Sequence, residues 1–238
     1  MSVPDQYLGV WKRTLLRTPD FEDMTSRVYW LQTRDYHADI RIPADRPACA
    51  GKTGFDQLTR GELLGLTRQQ GFAGITVVEG DICRWLRTAD FQPPTGSNDI
   101  GRMEFKTPDR MFEYGVEADY FEIWERMPGS EGENYAIDSD DGPGASFEVP
   151  GLLVAGKYFM RVRPRVAQLP KAASLAALAA KMDGAGLREV LDFEIAFGTR
   201  LSDAHWQVKL CTLPWLEGVG ISPVLGAVHG IGLLSRAP

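Results

Sequence analysis

Short segments in which apolar and polar residues alternate recur along the chain, and this spacing is typical of β-strands. Residues 36–43 are the clearest case, because three apolar residues alternate with two charged ones: Ala38, Ile40 and Ile42 with Asp39 and Arg41. Residues 26–33 are rich in β-branched and aromatic side chains, which also favour strands. Both segments are predicted to be half-buried antiparallel strands.

Two further segments place a turn sequence between two alternating runs. Residues 75–87 contain Glu-Gly-Asp at 79–81, and residues 102–115 contain Thr-Pro-Asp at 107–109. Each segment is therefore predicted to form a β-hairpin. Strands are also predicted later in the chain, at 156–164, 190–199, 205–213 and 224–236.

Two segments follow the helical period instead. In residues 58–70 the leucines suit one amphipathic face. Thr59 or Asp56 can cap the first turn, and Gly71 can end the helix. Residues 174–183, SLAALAAKMD, form the second predicted helix. The fold class predicted from these patterns is mainly β, with two short helices.

The composition changes between residues 128 and 146, where Gly, Pro, Ser and acidic residues dominate. Such a segment predicts an acidic linker or a long loop. It would divide the chain into a first β-barrel lobe, 1–127, and a second β-rich lobe, 147–238. The order of strand, helix and hairpin recurs on both sides, so two similar lobes are one hypothesis, although the residue identity between them is slight.

The charge balance excludes some classes of partner. The chain has 26 Lys and Arg against 32 Asp and Glu, a net charge of -6, and no run of more than two basic residues. Nucleic acids and anionic membrane surfaces bind through clustered positive charge, so neither is expected as a partner. No apolar run is long enough to span a membrane.

Three cysteines, Cys49, Cys83 and Cys211, are far apart and form no Cys-x-x-Cys motif. The N-terminal residues also lack the basic and apolar regions of a secretory signal. A reducing compartment fits an odd number of dispersed cysteines, so we expect a cytoplasmic protein.

A seven-residue segment near the N-terminus is nearly repeated in the chain. Residues 7–13 read YLGVWKR and residues 120–126 read YFEIWER. A Trp and an Arg two residues apart lie on the same face of a strand, where the guanidinium can contact an aromatic ring. A third Trp-x-Arg occurs at Trp85 and Arg87.

Gly9-x-Trp11 near the N-terminus, Ala-Asp-Tyr at 118–120 and the later Arg126 form a recognisable set. With these motifs the first lobe resembles the lipocalin group of the calycin superfamily. The resemblance implies an up-and-down antiparallel barrel whose interior binds a small, mostly apolar molecule, with Arg126 packed over Trp11. The mid-lobe helix and the absence of a disulfide pattern differ from secreted members. We therefore interpret the lobe as a cytosolic calycin-like barrel of an uncharacterised family.

Two interpretations of the aromatic and arginine residues stay open. An arginine inside a barrel needs a carboxylate or a ligand anion, and Glu122, on the face of Trp124, is the expected internal partner. In the structural interpretation these residues close one end of the barrel. In the functional interpretation one arginine anchors the acidic head of a ligand, and the candidate binding residues are Trp11, Arg13, Trp30, Trp85, Arg87, Tyr120, Glu122, Trp124 and Arg126.

No catalytic, metal or cofactor site is predicted. His205 follows Ser202 and Asp203, a spacing that is also ordinary turn capping, and no nucleophile elbow occurs. The acidic run 138–142 lacks the alternation and the closing Glu of a calcium loop. An enzyme with a polar barrel interior remains an alternative, with Glu122, Tyr120 and His205 as its candidate groups.

The expected function is therefore non-catalytic binding of a small hydrophobic or amphipathic molecule, with an anionic head group as one option. The alternative is a protein-interaction module with a filled barrel, whose partner binds the acidic linker or the arginines Arg161, Arg163 and Arg165, which alternate along one strand. The volume of the interior discriminates between them. A void of a few hundred Å³ would favour a ligand, and a packed interior would favour the module.

Overall fold

A computed structural model of the protein describes residues 3–138 and 150–221. The first sheet has nine antiparallel strands, of which eight close into an up-and-down barrel through pairing of the first with the last. In chain order they are β1 (Gly9–Arg17), β2 (Glu22–Asp23), β3 (Arg27–Gln32), β4 (Tyr36–Ile42), β5 (Gln70–Glu79), β6 (Ile82–Asp90), β7 (Ile100–Thr107), β8 (Arg110–Gly115) and β9 (Phe121–Arg126). Strand β2 pairs only with β1, outside the barrel wall.

The two ends of the barrel differ in their connections. At one end the turns are short, at 33–35, 80–81 and 108–109. At the other end the connections are longer, at 18–26, 43–69, 91–99 and 116–120. We call the first the closed end, because the N-terminal residues lie across it: Val3 N–H donates to the carbonyl of Arg34 in the first of the short turns. We call the second the charged end.

A second antiparallel sheet follows, with its six strands in chain order. They are β10 (Asn134–Asp138), β11 (Pro150–Ala155), β12 (Tyr158–Arg163), β13 (Glu194–Arg200), β14 (Trp206–Cys211) and β15 (Gly220–Ile221). The helices are α1 (Arg60–Leu66), between β4 and β5, and α2 (Leu175–Ala179) and α3 (Gly184–Leu191), between β12 and β13. Within the described ranges no helix has the length and apolar character needed to cross a membrane.

The mainly β fold with an antiparallel barrel and short helices is confirmed, with local corrections. Helix α1 begins at a capping box in which Thr59 and Glu62 bond each other's backbone N–H groups, but it ends before residue 70. Helix α3 was not predicted, because its glycines have low helix propensity. It begins after the N-cap Asp183 and buries Leu187, Val190 and Leu191.

Strand β4 is buried on both faces, so the prediction of a half-buried strand is wrong. Its apolar residues, Ala38, Ile40 and Ile42, pack against side chains of the second sheet such as Leu153 and Ile195. Its polar residues point the other way, into the barrel, where Asp39 is only 2% exposed. The second lobe thus takes the place of solvent on the outer face of the barrel wall.

The centre of the interface between the lobes is apolar. It joins the outward residues of β3 and β4 to β11, β12 and β13, and Tyr29 stacks on Phe197 with ring centroids 4.3 Å apart. The predicted linker, 128–146, contains β10. Residues 139–146 of that linker, with most of the acidic run, and the strand predicted at 224–236 lie outside the described residues.

Candidate functional site

The two similar segments, 7–13 and 120–126, lie side by side where the barrel closes. Strands β1 and β9 pair antiparallel, with Trp11 opposite Arg126 and Arg13 opposite Trp124. Each tryptophan therefore faces the arginine of the other strand across the seam. Repeating the Trp-x-Arg spacing on two antiparallel strands places one such pair toward each end of the barrel.

At the closed end, Arg126 packs over Trp11 with the guanidinium carbon 4.3 Å from the ring centroid. Arg126 donates to the carbonyl of Leu8, and its Nη2 donates to those of Gln6 at 2.8 Å and Pro108 at 2.9 Å. The buried Trp11 indole donates to a carbonyl in the N-terminal 3-10 turn, 2.8 Å away. The packing of Arg126 over Trp11, implied by the calycin resemblance, is confirmed.

The closure of the barrel explains why the Gly-x-Trp motif begins with glycine. Gly9 has φ of +119°, which disfavours residues with a side chain. A Cβ at this position would lie 2.9 Å from Ser130 Oγ and 3.1 Å from Arg126 Nη1. Any larger residue would therefore push the chain away from the arginine that closes the barrel.

Tryptophans fill the middle of the barrel. Trp30 packs edge to face against Trp85 and Trp124, with ring centroids 5.5 Å and 5.8 Å apart. Met103 and Met111 fill the space beside them. These residues form one apolar cluster that separates the two ends of the barrel.

At the charged end, Arg13 is held by two carboxylates. Its Nη1 donates to Glu122 Oε1 at 2.6 Å and its Nη2 donates to Asp23 Oδ2 at 3.1 Å. The expected pairing of an interior arginine with Glu122 is therefore confirmed. Arg41 binds Asp39 at 2.8 Å and approaches Glu122 to 3.8 Å.

Glu113, which the sequence did not single out, lies beside this network. It accepts from Tyr120 Oη at 2.7 Å and from the indole of Trp124 at 2.9 Å. Burial, followed by the nearby Glu122 and Asp99 charges, raises the pKa of Glu113 well above its ordinary value. Its position opposite Glu122 follows from the β8–β9 hairpin register, which would have been the only sequence signal for it.

Arg87, one of the candidate ligand-binding residues, is already paired. Its guanidinium donates to Asp99 at 2.5 Å and 3.0 Å and to Asp90 at 3.0 Å, and its carbon lies 3.5 Å from the centroid of Phe72. Burial alone would lower the pKa of Arg87, but the Asp99 and Asp90 charges raise it. An anionic ligand would have to compete with both carboxylates.

The cavity between the tryptophan layer and the charged end of the barrel is small. The cavity at the charged end has about 10 Å³ open to the centre of a water-sized sphere, which is room for about one water molecule. Its walls include three tryptophans and four charged residues: Trp30, Trp85, Trp124, Asp39, Arg41, Asp99 and Glu113. Sites for small molecules usually enclose about 300–1,000 Å³.

The nine residues predicted to bind a ligand all belong to the barrel, but the barrel divides them between its ends. Arg126 and Trp11 lie at the closed end, and the remaining residues lie in the tryptophan layer or at the charged end. The candidate catalytic set is not assembled. His205 is exposed in the turn between β13 and β14, whereas Glu122 and Tyr120 lie at the barrel.

A second polar site lies at the closed end, where His37 is fully buried. Thr76 Oγ1 donates to Gln32 Oε1 at 2.7 Å, so its oxygen accepts from His37 Nδ1 at 3.0 Å. His37 Nε2 has no hydrogen-bond partner within the described ranges. Burial, with a smaller contribution from Arg87, lowers the pKa of His37 to about 3.

A concave surface of about 560 Å³ lies mainly on the second lobe. We call it the Trp215 groove. Its floor is apolar and is formed by Phe55, Leu213, Trp215 and Leu216. Its rim is formed by three arginines, Arg161, Arg163 and Arg188. Phe55 comes from the connection between β4 and α1, and its ring meets Trp215 edge to face at 4.7 Å. Both lobes therefore contribute to the groove.

The arginines of the groove do not form a free basic stripe. Each is paired with an acid: Arg161 with Glu194 at 2.7 Å, Arg163 with Asp192 at 2.6 Å and Arg188 with Asp56 at 3.1 Å. Arg165 turns toward the barrel, where it donates to the carbonyls of Asp90 and Phe91 at 3.1 Å and 2.5 Å. The predicted one-sided stripe of three arginines is therefore wrong.

Comparison with known proteins identifies the fold alone. Neither the protein-family models nor the curated proteins include a match. The crystal structure of the uncharacterized protein YLR301w from Saccharomyces cerevisiae is similar to this chain, with a TM-score of 0.51 and 12% sequence identity. The similarity covers 85% of this chain and 84% of that one.

Proposed function

We propose that the protein is a non-catalytic interaction module, in which a filled calycin-like barrel is the scaffold and the Trp215 groove binds a segment of another protein. The observation that carries the proposal is the contrast in free volume. The cavity at the charged end of the barrel has room for about one water molecule, whereas the groove holds about 560 Å³.

The shape of the groove favours a protein segment over an enclosed small molecule. Sites for small molecules bury most of the ligand surface, whereas this groove is largely open to solvent. Half-buried Phe55, Trp215 and Leu216 offer an apolar floor. Aromatic side chains on such surfaces are the residues that most often dominate the binding energy of an interface.

The charges of the groove define the partner further. Three arginines are balanced by Glu189, Asp192 and Glu194, so the lining attracts neither a strongly acidic nor a strongly basic segment. Arg161 uses only Nη1 in its bond to Glu194, which leaves N–H groups for the backbone carbonyls of a partner. The partner is therefore an apolar segment of low net charge with a large side chain that packs on Trp215.

We place this function in the cytoplasm. All three cysteines are buried free thiols, and none lies in a disulfide. Unpaired thiols in a chain of this size support a reducing compartment.

Selection from a random peptide library displayed on phage tests the groove. We expect the wild-type protein to enrich peptides with aromatic or large aliphatic residues and few charges, and Trp215→Ala and Leu216→Asp to lose binding by about tenfold or more. Leu201→Ala is the matched control, because Leu201 is an exposed aliphatic residue of the same lobe outside the groove. Circular dichroism checks that each variant folds. Enriched peptides that bind the groove variants as well as the wild type would contradict the proposal.

A fluorescence titration tests the small-molecule function expected from the sequence. If the barrel is a scaffold, fatty-acid-like and other amphipathic anions should not quench the tryptophans in a saturable way. Saturable quenching that Arg87→Ala weakens would instead place an anionic ligand at the charged end and replace the groove proposal.

A further inference from the structure

Two glutamates face each other inside the barrel wall. Glu113 of β8 and Glu122 of β9 are directly opposite in the antiparallel register, and they are 4% and 2% exposed. Side chains in such positions have Cβ atoms about 4.5–5.5 Å apart. At such a short distance, two carboxyl groups that are both shielded from water repel each other strongly when both are ionised.

Hydrogen bonds account for three of the four carboxyl oxygens. Glu122 Oε1 accepts from Arg13, and the two oxygens of Glu113 accept from Tyr120 and from the Trp124 indole, which are neutral donors. The fourth oxygen, Glu122 Oε2, is buried without a hydrogen-bond partner in the part of the chain that the structure describes. A donor is missing at one point of an otherwise complete network.

We infer that Glu113 and Glu122 share one proton at neutral pH, with Glu113 as the neutral acid that donates to Glu122 Oε2, and that loss of this proton loosens the β8–β9 wall. The proton supplies the missing donor and removes one of the two buried charges. Glu113 then keeps its bonds to Tyr120 and Trp124, because a neutral carboxyl group still accepts hydrogen bonds.

Among the described residues Glu113 has no ion-pair partner, because the nearby arginines bind other carboxylates. Arg13 is held by Glu122 and Asp23, and Arg41 by Asp39. Arg87 is held by Asp99 and Asp90. Other titratable groups surround the pair on several elements. They are Arg13 on β1, Asp23 on β2, Asp39 and Arg41 on β4, Cys83 and Arg87 on β6, Asp99 before β7, and Tyr120 before β9. Burial and the neighbouring acids raise the pKa of Glu113 in agreement with this assignment.

The direction of the pH effect follows. A group whose pKa is higher in the folded chain stabilises the fold fully below its unfolded pKa, about 4.3 for Glu, and that stabilisation is lost as the pH rises through the folded pKa. The barrel wall should therefore weaken toward alkaline pH. Glu113→Gln keeps a hydrogen-bond acceptor, adds a donor for Glu122 and cannot ionise, so it removes the effect.

Carbon-13 NMR of protein labelled at the glutamate side-chain carboxyl carbon tests the shared proton directly. At about pH 7 we expect one resonance at the protonated position in the wild type, absent in Glu113→Gln and present in Glu125→Gln. Glu125 is the matched control, because it lies on β9 with its side chain exposed. A wild-type spectrum in which all glutamates are ionised overturns the inference, and this result does not depend on the folding of any variant.

Thermal unfolding tests the consequence for the barrel. Between about pH 5 and pH 9 the melting temperature of the wild type should fall more steeply than that of Glu113→Gln. Glu125→Gln should follow the wild type. Equal slopes for the wild type and Glu113→Gln would show that the pair carries no pH-sensitive proton.

Discussion

The two ends of the barrel neutralise the same residue type in opposite ways. Arg126 and Arg13 come from the two echoed segments, and their side chains are 7% and 6% exposed. Arg126 lies over an indole and donates mainly to backbone carbonyls, with Asp109, a 67% exposed carboxylate, as its ion-pair partner. Arg13 is held by Glu122, a carboxylate as buried as itself.

The two arginines therefore have different structural roles: one closes the barrel, and the other belongs to a buried ion-pair network. At the closed end Arg126 binds neutral carbonyl groups and one exposed carboxylate, so the loss of the arginine leaves no buried charge unpaired. At the charged end the loss of one partner leaves a full charge in a medium of low dielectric constant. Trp-x-Arg is therefore a closure motif at one end and part of a charge network at the other.

The largest expected effect is that of Arg13→Met. It leaves Glu122 without its cation, beside Glu113, and should lower the free energy of unfolding by about 3–5 kcal/mol in urea denaturation. Glu122→Gln added to Arg13→Met should recover part of the loss, because the stranded charge is removed. A loss below about 1 kcal/mol for Arg13→Met would mean that the charged end is not a buried network.

Arg126→Met should cost less, about 1–3 kcal/mol, since it removes a cation–π contact and leaves neutral carbonyls unsatisfied. Amide exchange of residues 3–8 should become faster, because these residues are held by Arg126. Arg110→Met on the exposed face of β8 is the control, with a change of about 0.5 kcal/mol or less. A cost equal to that of Arg13→Met would break the comparison between the ends.

The smallest expected effect is a loss of stability at acid pH that depends on His37. The lowered pKa of His37 means that its contribution to stability is complete above the unfolded pKa of about 6.5 and is lost as the pH falls toward about 3. Between about pH 6.5 and pH 5.5 this loss is about 1 kcal/mol. His37→Asn, which retains a donor for Thr76 but does not ionise in this range, should flatten the acid side of the stability profile measured by urea denaturation. An unchanged profile would place the acid sensitivity elsewhere.

Much of the wall and its closure could be predicted from local pattern. Alternation located the strands, and the Trp-x-Arg spacing led to the packing of Arg126 over Trp11. Periodicity also assigned Ile40 and Asp39 to opposite faces of β4. It could not tell which face is the interior, because both faces are buried and a tertiary partner, not solvent, covers the apolar one.

The charge network was harder to predict, because its pairs join residues that are distant in sequence. Glu122 was found as a partner since it shares a strand face with Trp124, but Glu113, Asp39 and Asp99 come from three other segments. The filled interior also depends on volumes that no single segment specifies. Four tryptophans, Trp11, Trp30, Trp85 and Trp124, occupy the space that a ligand would need.

The burial of β4 on both faces has a consequence for synthesis on the ribosome. The barrel is complete in sequence at Arg126, but Phe197, which covers its outer face, is about 70 residues further along the chain. At about 5–20 residues per second, Phe197 reaches its partner Tyr29 only roughly 4–14 seconds after Arg126 is synthesised. We therefore expect part of the outer face of the nascent barrel to stay exposed to water until β13 has been synthesised.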